Sequence, residues 1–190
     1  MSHTLGPIHY WLYGKIGKQE ELTNRIAVFA ENSGWISDCE AYVKKLPPLE
    51  EVIDEGNIHG WLQECISDAE TRYADLITAM LKQDNDRIKE LTKLAYDFGV
   101  DNALPAETTP EEAYKSFEDF FVNGMPCDRI NTLISNDENS VSWQQTRDIH
   151  AQYWKDVAPY YILRNSVMDG MLQGTKLHLT VGENAYTISE

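Results

Sequence analysis

Residues 58–81 have the sequence IHGWLQECISDAETRYADLITAML, and this stretch decides the predicted fold. Apolar side chains recur along it at the spacing that places them on one face of an α-helix. The members of that face are Leu62, Ile66, Ala69, Tyr73, Leu76, Ile77 and Met80. Asn57 precedes the stretch and can cap its first turn. The sequence therefore predicts a long amphipathic helix here.

A second long helix is predicted over residues 8–32, and its opening matches that of the first. The pattern I-H-x-W-L-x-x-x-I-x-x-x-E occurs at residues 8–20 and again at residues 58–70. Helical spacing places four polar residues on the two apolar stripes. They are His9, Glu20, His59 and Glu70. Antiparallel packing would pair each histidine with a glutamate of the other helix. Parallel packing would instead place the two histidines together and the two glutamates together. Duplication and a shared structural role both explain the repeat.

The rest of the chain is predicted to be mostly helical. The main helices are expected at residues 8–32, 58–82, 86–122 with interruptions, and 141–172, with a short helical piece at 128–134 and a kink before Pro159. Near the C-terminus, apolar residues alternate around the turn Gly182-Glu183-Asn184, which predicts a β-hairpin. We therefore expect an all-α, up-and-down bundle of about four main helices over residues 1–172, with a small C-terminal β-hairpin over residues 173–190 packed on it.

The net charge limits the classes of binding partner, and the cysteine pattern indicates the cellular compartment. The formal net charge is −15, which argues against binding to nucleic acid or to an anionic membrane surface, since both need clustered Lys and Arg. The three cysteines form no C-x-x-C pair, and the N-terminal residues lack a basic region and an apolar signal core. A cytoplasmic protein is expected.

The candidate site combines histidines and carboxylates from three predicted helices. His150 adds a third helical histidine to His9 and His59, and it precedes Tyr161 and Arg164 on one predicted stripe. A buried glutamate needs a partner, so Glu20 and Glu70 are expected to meet a donor, a metal or a countercharge such as Arg164. Histidine and carboxylate ligands suit iron, zinc or manganese. We expect a metal site of these histidines and glutamates, supported by Tyr161 and Arg164, or a site for a small-molecule ligand.

These features resemble those of the metal-binding four-helix bundles of the DinB-like and hemerythrin-like groups. The resemblance rests on the single histidines His9, His59 and His150, each near the start of a predicted helix. It implies a divalent transition metal held in the core of a bundle. None of the spacings H-x-x-x-H, H-x-x-x-E or E-x-x-H occurs in the chain, and the C-terminal hairpin lies outside both family patterns.

A protein-interaction or oligomerisation module without enzymatic activity is the alternative hypothesis. In this interpretation the histidines are structural, and the ten tyrosines and five tryptophans supply interface area, for example in a homodimer. The two hypotheses differ in geometry. A metal site needs His9, His59 and His150 at one point, whereas an interaction module needs separated histidines and an exposed apolar patch.

Overall fold

A computed structural model describes residues 5–190 of the chain. The first half holds two helices of equal length, α1 (Pro7–Asn32) and α3 (Ile58–Gln83), with the single-turn helix α2 (Leu49–Val52) in the connection between them. Both long helices were predicted and are confirmed. Proline stands at the first position of α1, and the side chain of Asn57 accepts a hydrogen bond from the backbone N–H of Gly60 at the start of α3.

Helices α1 and α3 pack side by side in parallel. The His9 ring lies 5.5 Å from the His59 ring, and the Tyr13 ring lies 5.8 Å from that of Trp61, so the openings of the two helices lie against each other at equivalent or nearly equivalent positions. Parallel neighbours require a long return connection, and residues 33–57 provide it. The matching openings of the two helices therefore lie next to each other at one end of the molecule.

The middle of the chain contributes α4 (Ile88–Asp101) and α5 (Pro110–Phe120), and α6 (Ala158–Leu172) follows the first strand pair. Helices α4 and α6 cross very closely, and a glycine from each helix lies at the crossing. The Cα atom of Gly99 lies so near Gly170 that a Cβ atom on Gly170 would approach it to 2.9 Å. Larger residues cannot occupy this crossing without separating the helices.

Four antiparallel strands form one sheet in the spatial order β1-β2-β4-β3. Their bounds are β1 (Asn131–Asn136), β2 (Ser140–Gln145), β3 (His178–Val181) and β4 (Ala185–Ser189). The predicted C-terminal hairpin is thus confirmed as β3–β4. It does not stand alone, because β4 pairs along its length with β2.

The all-α, up-and-down bundle prediction is wrong. Over residues 5–190 the protein has a mixed fold of six α-helices and a four-stranded antiparallel sheet. Residues 141–157, predicted as helix, form most of β2 and the loop after it, and residues 131–134, also predicted as helix, lie in β1. Val141 and Trp143 are buried, and the residues between and after them are more exposed, as expected for a strand with one face on the core. Helix α6 begins next to Pro159, so the expected interruption is present.

The apolar core divides into two clusters. The larger one joins the C-terminal halves of α1 and α3 to α4, α5, α6 and the inner face of the sheet. The smaller one surrounds Leu12, Ile16 and Leu62, where the first halves of α1 and α3 meet. Among the described residues, no helix combines the length and the apolar character that a membrane crossing requires.

Candidate functional site

A cleft of about 370 Å³ lies between α3 and the loop that joins β2 to α6. We call it the Glu70 cleft. The residues that line it include Ile66 and Glu70 of α3, Gly124 and Asp128 of the segment before β1, and Asp148, His150 and Tyr153 of the loop. Three separate parts of the chain therefore meet at this cleft.

Glu70 and His150 form a buried pair in the wall of the cleft. The Nδ1 atom of His150 lies 3.1 Å from Oε1 of Glu70, and each residue is only 1% exposed. The ring of Tyr160 stacks on the imidazole at 3.9 Å between centroids, with an angle of 24° between the planes. The pair is thus fixed by one hydrogen bond and one aromatic stack in a site shielded from water.

The second polar atom of each partner has no protein hydrogen bond. Oε2 of Glu70 and Nε2 of His150 are both buried, and neither has a hydrogen-bond partner among residues 5–190. An ionised carboxylate only accepts hydrogen bonds, so the bond to Glu70 assigns the proton of a neutral imidazole to Nδ1. In this neutral form of the imidazole, Nε2 carries a lone pair. In this tautomer the pair has two buried acceptors without a hydrogen bond, one on the carboxylate and one on the side of the imidazole ring that faces away from Glu70, and leaving them unpaired costs free energy.

A polar turn presents His150 to α3. Oδ1 of Asp148 accepts hydrogen bonds from the backbone N–H groups of His150, at 2.8 Å, and of Ala151, at 3.0 Å. The hydroxyls of Tyr153 and Ser67 lie 3.1 Å apart and join the same loop to α3. These bonds hold the imidazole against Glu70 although the loop has no regular secondary structure.

The charges around the cleft are mainly negative. Glu70, Asp128 and Asp148 contribute carboxylates, and Arg147 is the guanidinium among the lining residues. Arg147 is already bound to Asp128, with 2.7 Å between Nη2 and Oδ1. A cleft with carboxylates in excess attracts cations and repels anions.

The Tyr161 ring lies edge-on to that of His150, with 6.2 Å between centroids, and Tyr161 is linked to Arg164 through Gln145 of β2. The side-chain amide of Gln145 donates to the Tyr161 hydroxyl at 2.6 Å, and Nη1 of Arg164 donates to Oε1 of Gln145 at 3.4 Å. Burial raises the pKa of the Tyr161 phenol, which keeps the hydroxyl protonated. Both residues were predicted to support the site. Arg164 does not act as the predicted countercharge, because no carboxylate among residues 5–190 lies within 4.0 Å of it.

The other predicted residues lie elsewhere. His9 and His59 pack on each other, and Nδ1 of His9 accepts a hydrogen bond from the backbone of Gly6 at 2.9 Å. Glu20 is bound by both terminal nitrogens of Arg72. In the described chain, a single group brings three potential metal ligands within 4.8 Å of one another, the exposed cluster of Glu31, Asp38 and Cys39. The three histidines are thus not brought to one point, and their geometry does not fit one shared metal centre.

Comparison with known proteins returns no match. No protein-family model, curated protein or solved structure matches this chain. The resemblance to DinB-like and hemerythrin-like bundles therefore stays a prediction. The interaction-module hypothesis also stays a prediction, although two residues of the edge strand β1, Leu133 and Ile134, are 48% and 60% exposed.

Lys15 is a buried charge that the sequence analysis missed. Its signal was its position between Leu12 and Ile16 on the apolar face of α1. The side chain extends over Trp11, with Nζ 4.0 Å from the ring centroid. Burial lowers the pKa of Lys15 from 10.5 to about 8; nearby Glu118 and Asp119 oppose this shift, and Arg164 adds to it. At neutral pH the buried ammonium of Lys15 therefore lowers the stability of the folded chain, because its surroundings favour the neutral amine.

We expect Lys15→Met to raise the free energy of unfolding by about 2 kcal/mol at pH 7, because the desolvated charge is removed and the apolar stem is kept. The gain depends on pH. Below pH 8 the lysine is protonated in both states, and the gain is complete. Between pH 8 and 10.5 the unfolded chain retains a proton that the folded chain has released, so the wild type gains stability and the difference shrinks. Urea denaturation at several pH values measures both effects.

An exposed lysine provides the control for this prediction. Lys89→Met removes an amine that is 75% exposed, and we expect it to change stability by less than about 0.5 kcal/mol. A loss of stability in Lys15→Met at pH 7 would show that the ammonium is stabilised by Trp11 and the two acidic residues despite its burial.

Proposed function

We propose that this protein binds a small organic cation in the Glu70 cleft, with an ammonium group held by Glu70 and His150. The observation that carries the proposal is the buried pair in the cleft wall whose second acceptor atoms, Oε2 and Nε2, have no partner among the described residues. An ammonium group offers three donors and carries the opposite charge to Glu70. It can therefore donate to the unpaired oxygen of Glu70 and offset the cost of burying the carboxylate.

The charge around the cleft supports a cation over a neutral or anionic ligand. Asp128 neutralises Arg147, which leaves Glu70 and Asp148 to set the sign of the local field. The chain as a whole carries a formal charge of −15, which favours the approach of cations and disfavours anions. A ligand with an ammonium group gains from both the local and the overall field.

The cytoplasm is the compartment that we propose for this binding activity. Cys39, Cys65 and Cys127 are all free thiols in the structure. Free thiols persist in reducing compartments and are uncommon in secreted domains of this size.

Calorimetric titration with diaminobutane, and with butanediol as its uncharged counterpart, tests the proposal. We expect the diamine to bind the wild type and the diol to bind much more weakly, because only the ammonium group forms charge-assisted hydrogen bonds. Glu70→Gln keeps the size of the side chain and removes its charge, and it should weaken diamine binding by roughly tenfold or more. Asp75→Asn, an exposed position on the same helix, should bind the diamine as the wild type does.

Three results would contradict the proposal. The first is no diamine binding to the wild type, and the second is equal binding to the wild type and to Glu70→Gln. The third is stabilisation by zinc, manganese or iron(II) that exceeds the effect of the diamine and is lost in His150→Ala. That result would assign the pair to a metal, with Nε2 of His150 as a ligand.

A further inference from the structure

Arg164 is a buried cation without a counterion. Its side chain is 4% exposed, and over residues 5–190 no carboxylate lies within 4.0 Å of its nitrogens. Its guanidinium lies 5.4 Å from the ring of Phe121 and 5.7 Å from that of Tyr186. Arginine does not release its proton in proteins, so it cannot become neutral to avoid the cost of burial. A buried guanidinium in such surroundings is stabilised when an anion approaches it.

A small cavity adjoins this guanidinium and is separate from the Glu70 cleft. It measures about 30 Å³, and its lining includes Gln19, Tyr73, Phe121, Tyr160 and Arg164. Two of the N–H donors in this lining, Nε of Arg164 and Nε2 of Gln19, are buried and have no acceptor among the described residues. The Glu70 pair presents unsatisfied acceptors, whereas this cavity presents unsatisfied donors.

The phenols of the cavity add to its preference for an anion. Burial raises the pKa of Tyr160 well above its usual value, and burial also raises that of Tyr73. Both hydroxyls stay protonated and can donate a hydrogen bond. Lys18 also lines the cavity, and its ammonium is paired with Glu21 at 3.0 Å. The side chains of Arg164, Gln19, Lys18 and the two tyrosines thus all offer hydrogen-bond donors.

We infer that this cavity binds the carboxylate group of a small aliphatic acid, through Arg164 and Gln19. The volume has room for a group about as large as one or two water molecules, which suits a carboxylate head. The planar fork of arginine matches the two carboxylate oxygens, and because the carboxylate fills this space, the short apolar substituent would lie toward the partly exposed Phe120 and Phe121 of the lining. A hydrated halide would leave these aromatic side chains unused.

Titration with propionate, with propionamide as its uncharged counterpart, tests this inference by calorimetry and by thermal unfolding. Sodium chloride keeps the ionic strength constant. We expect propionate to bind the wild type and propionamide not to bind. Arg164→Met should weaken propionate binding by roughly tenfold or more, and Gln19→Leu by several-fold. Arg25→Met, at an exposed ion pair with Asp101, is the matched control and should leave binding unchanged.

The expected results separate this site from the cation site. Glu70→Gln should not weaken propionate binding, because it removes a negative charge that acts on Tyr73 and Tyr160 of the cavity, whereas Arg164→Met should weaken it by roughly tenfold or more. Equal binding of propionate to the wild type and to Arg164→Met would overturn the inference. It would also fail if chloride alone stabilised the protein as much as propionate does, since the cavity would then take any small anion. If Arg164→Met does not fold, Gln19→Leu and Arg164→Lys decide the question, and unchanged binding in both would overturn it.

Discussion

Gly170→Ala is expected to lower the free energy of unfolding by about 4 kcal/mol, because it places a methyl group inside the close crossing of α4 and α6. A Cβ atom on Gly170 would lie well under 3.0 Å from the carbonyl oxygen of Tyr96 and 2.9 Å from both Cα of Gly99 and N of Val100. All three are backbone atoms, so no side chain can rotate away. The helices α4 and α6 must separate, and the core between them loses its close packing.

Chemical denaturation followed by circular dichroism measures this effect, and a second glycine supplies the control. Gly17 lies in the interior of α1, and nothing lies within 4 Å of a Cβ atom built on it. Gly17→Ala should therefore stabilise the protein by about 0.5–1 kcal/mol through helix propensity alone. If Gly170→Ala were as stable as the wild type, the two helices could not be packed backbone against backbone.

The helices were the part of this fold that local sequence could predict. Residues 8–32 and 58–82 carry a strong apolar periodicity and correspond to α1 and α3. Thr109 and Glu112 form a capping box at the start of α5, with the Thr109 backbone N–H donating to the Glu112 carboxylate at 2.9 Å. Caps and periodicity act within one or two turns of chain, so they are visible without knowledge of the tertiary structure.

The sheet depended on contacts between distant parts of the chain. Val141 and Trp143 alternate with polar residues, a period-two signal that is short and stands before the long apolar stretch of α6. Strand β2 is stabilised by β4, whose residues lie more than 40 positions later. A single hairpin is marginal alone, so the two hairpins stabilise each other in one sheet. Local patterns carried no information about this pairing.

The candidate site was predictable in part. The sequence indicated that Glu70 and His150 are buried, and the structure brings them together, but the helical stripe predicted for His150 is wrong because this residue lies in the loop after β2. It also indicated that Glu20 needs a partner, but it did not identify Arg72, which lies off the apolar stripe of α3. Arg72 reaches Glu20 because α1 and α3 run in parallel, which places position 72 beside position 20. Helix orientation depends on the connection through residues 33–57, where no strong periodic pattern exists.

Arg72→Met is expected to destabilise the protein by about 3–5 kcal/mol, because it leaves the buried carboxylate of Glu20 without a partner. The Glu20 side chain is 4% exposed, and Nη1 of Arg72 lies 2.8 Å from its Oε2. The same guanidinium also donates to the backbone carbonyl of Tyr42 at 3.0 Å. Its removal therefore leaves the Glu20 carboxylate unpaired in the core. It also removes a bond that holds the connection through residues 33–57 to α3. Urea denaturation measures the loss. Arg25→Met, which breaks an exposed ion pair, should cost less than about 1 kcal/mol.

The double variant Glu20→Met with Arg72→Met separates these two contributions. Replacing both charges with apolar side chains removes the unpaired carboxylate, so the double variant should recover most of the stability lost in Arg72→Met. Limited proteolysis then reports on residues 33–57 independently. If the double variant is stable but is cleaved faster in this connection, the bond to Tyr42 fixes the return path. If it stays as unstable as Arg72→Met, the contacts of the guanidinium outside Glu20 stabilise the fold, and the parallel arrangement of α1 and α3 depends on Arg72 itself.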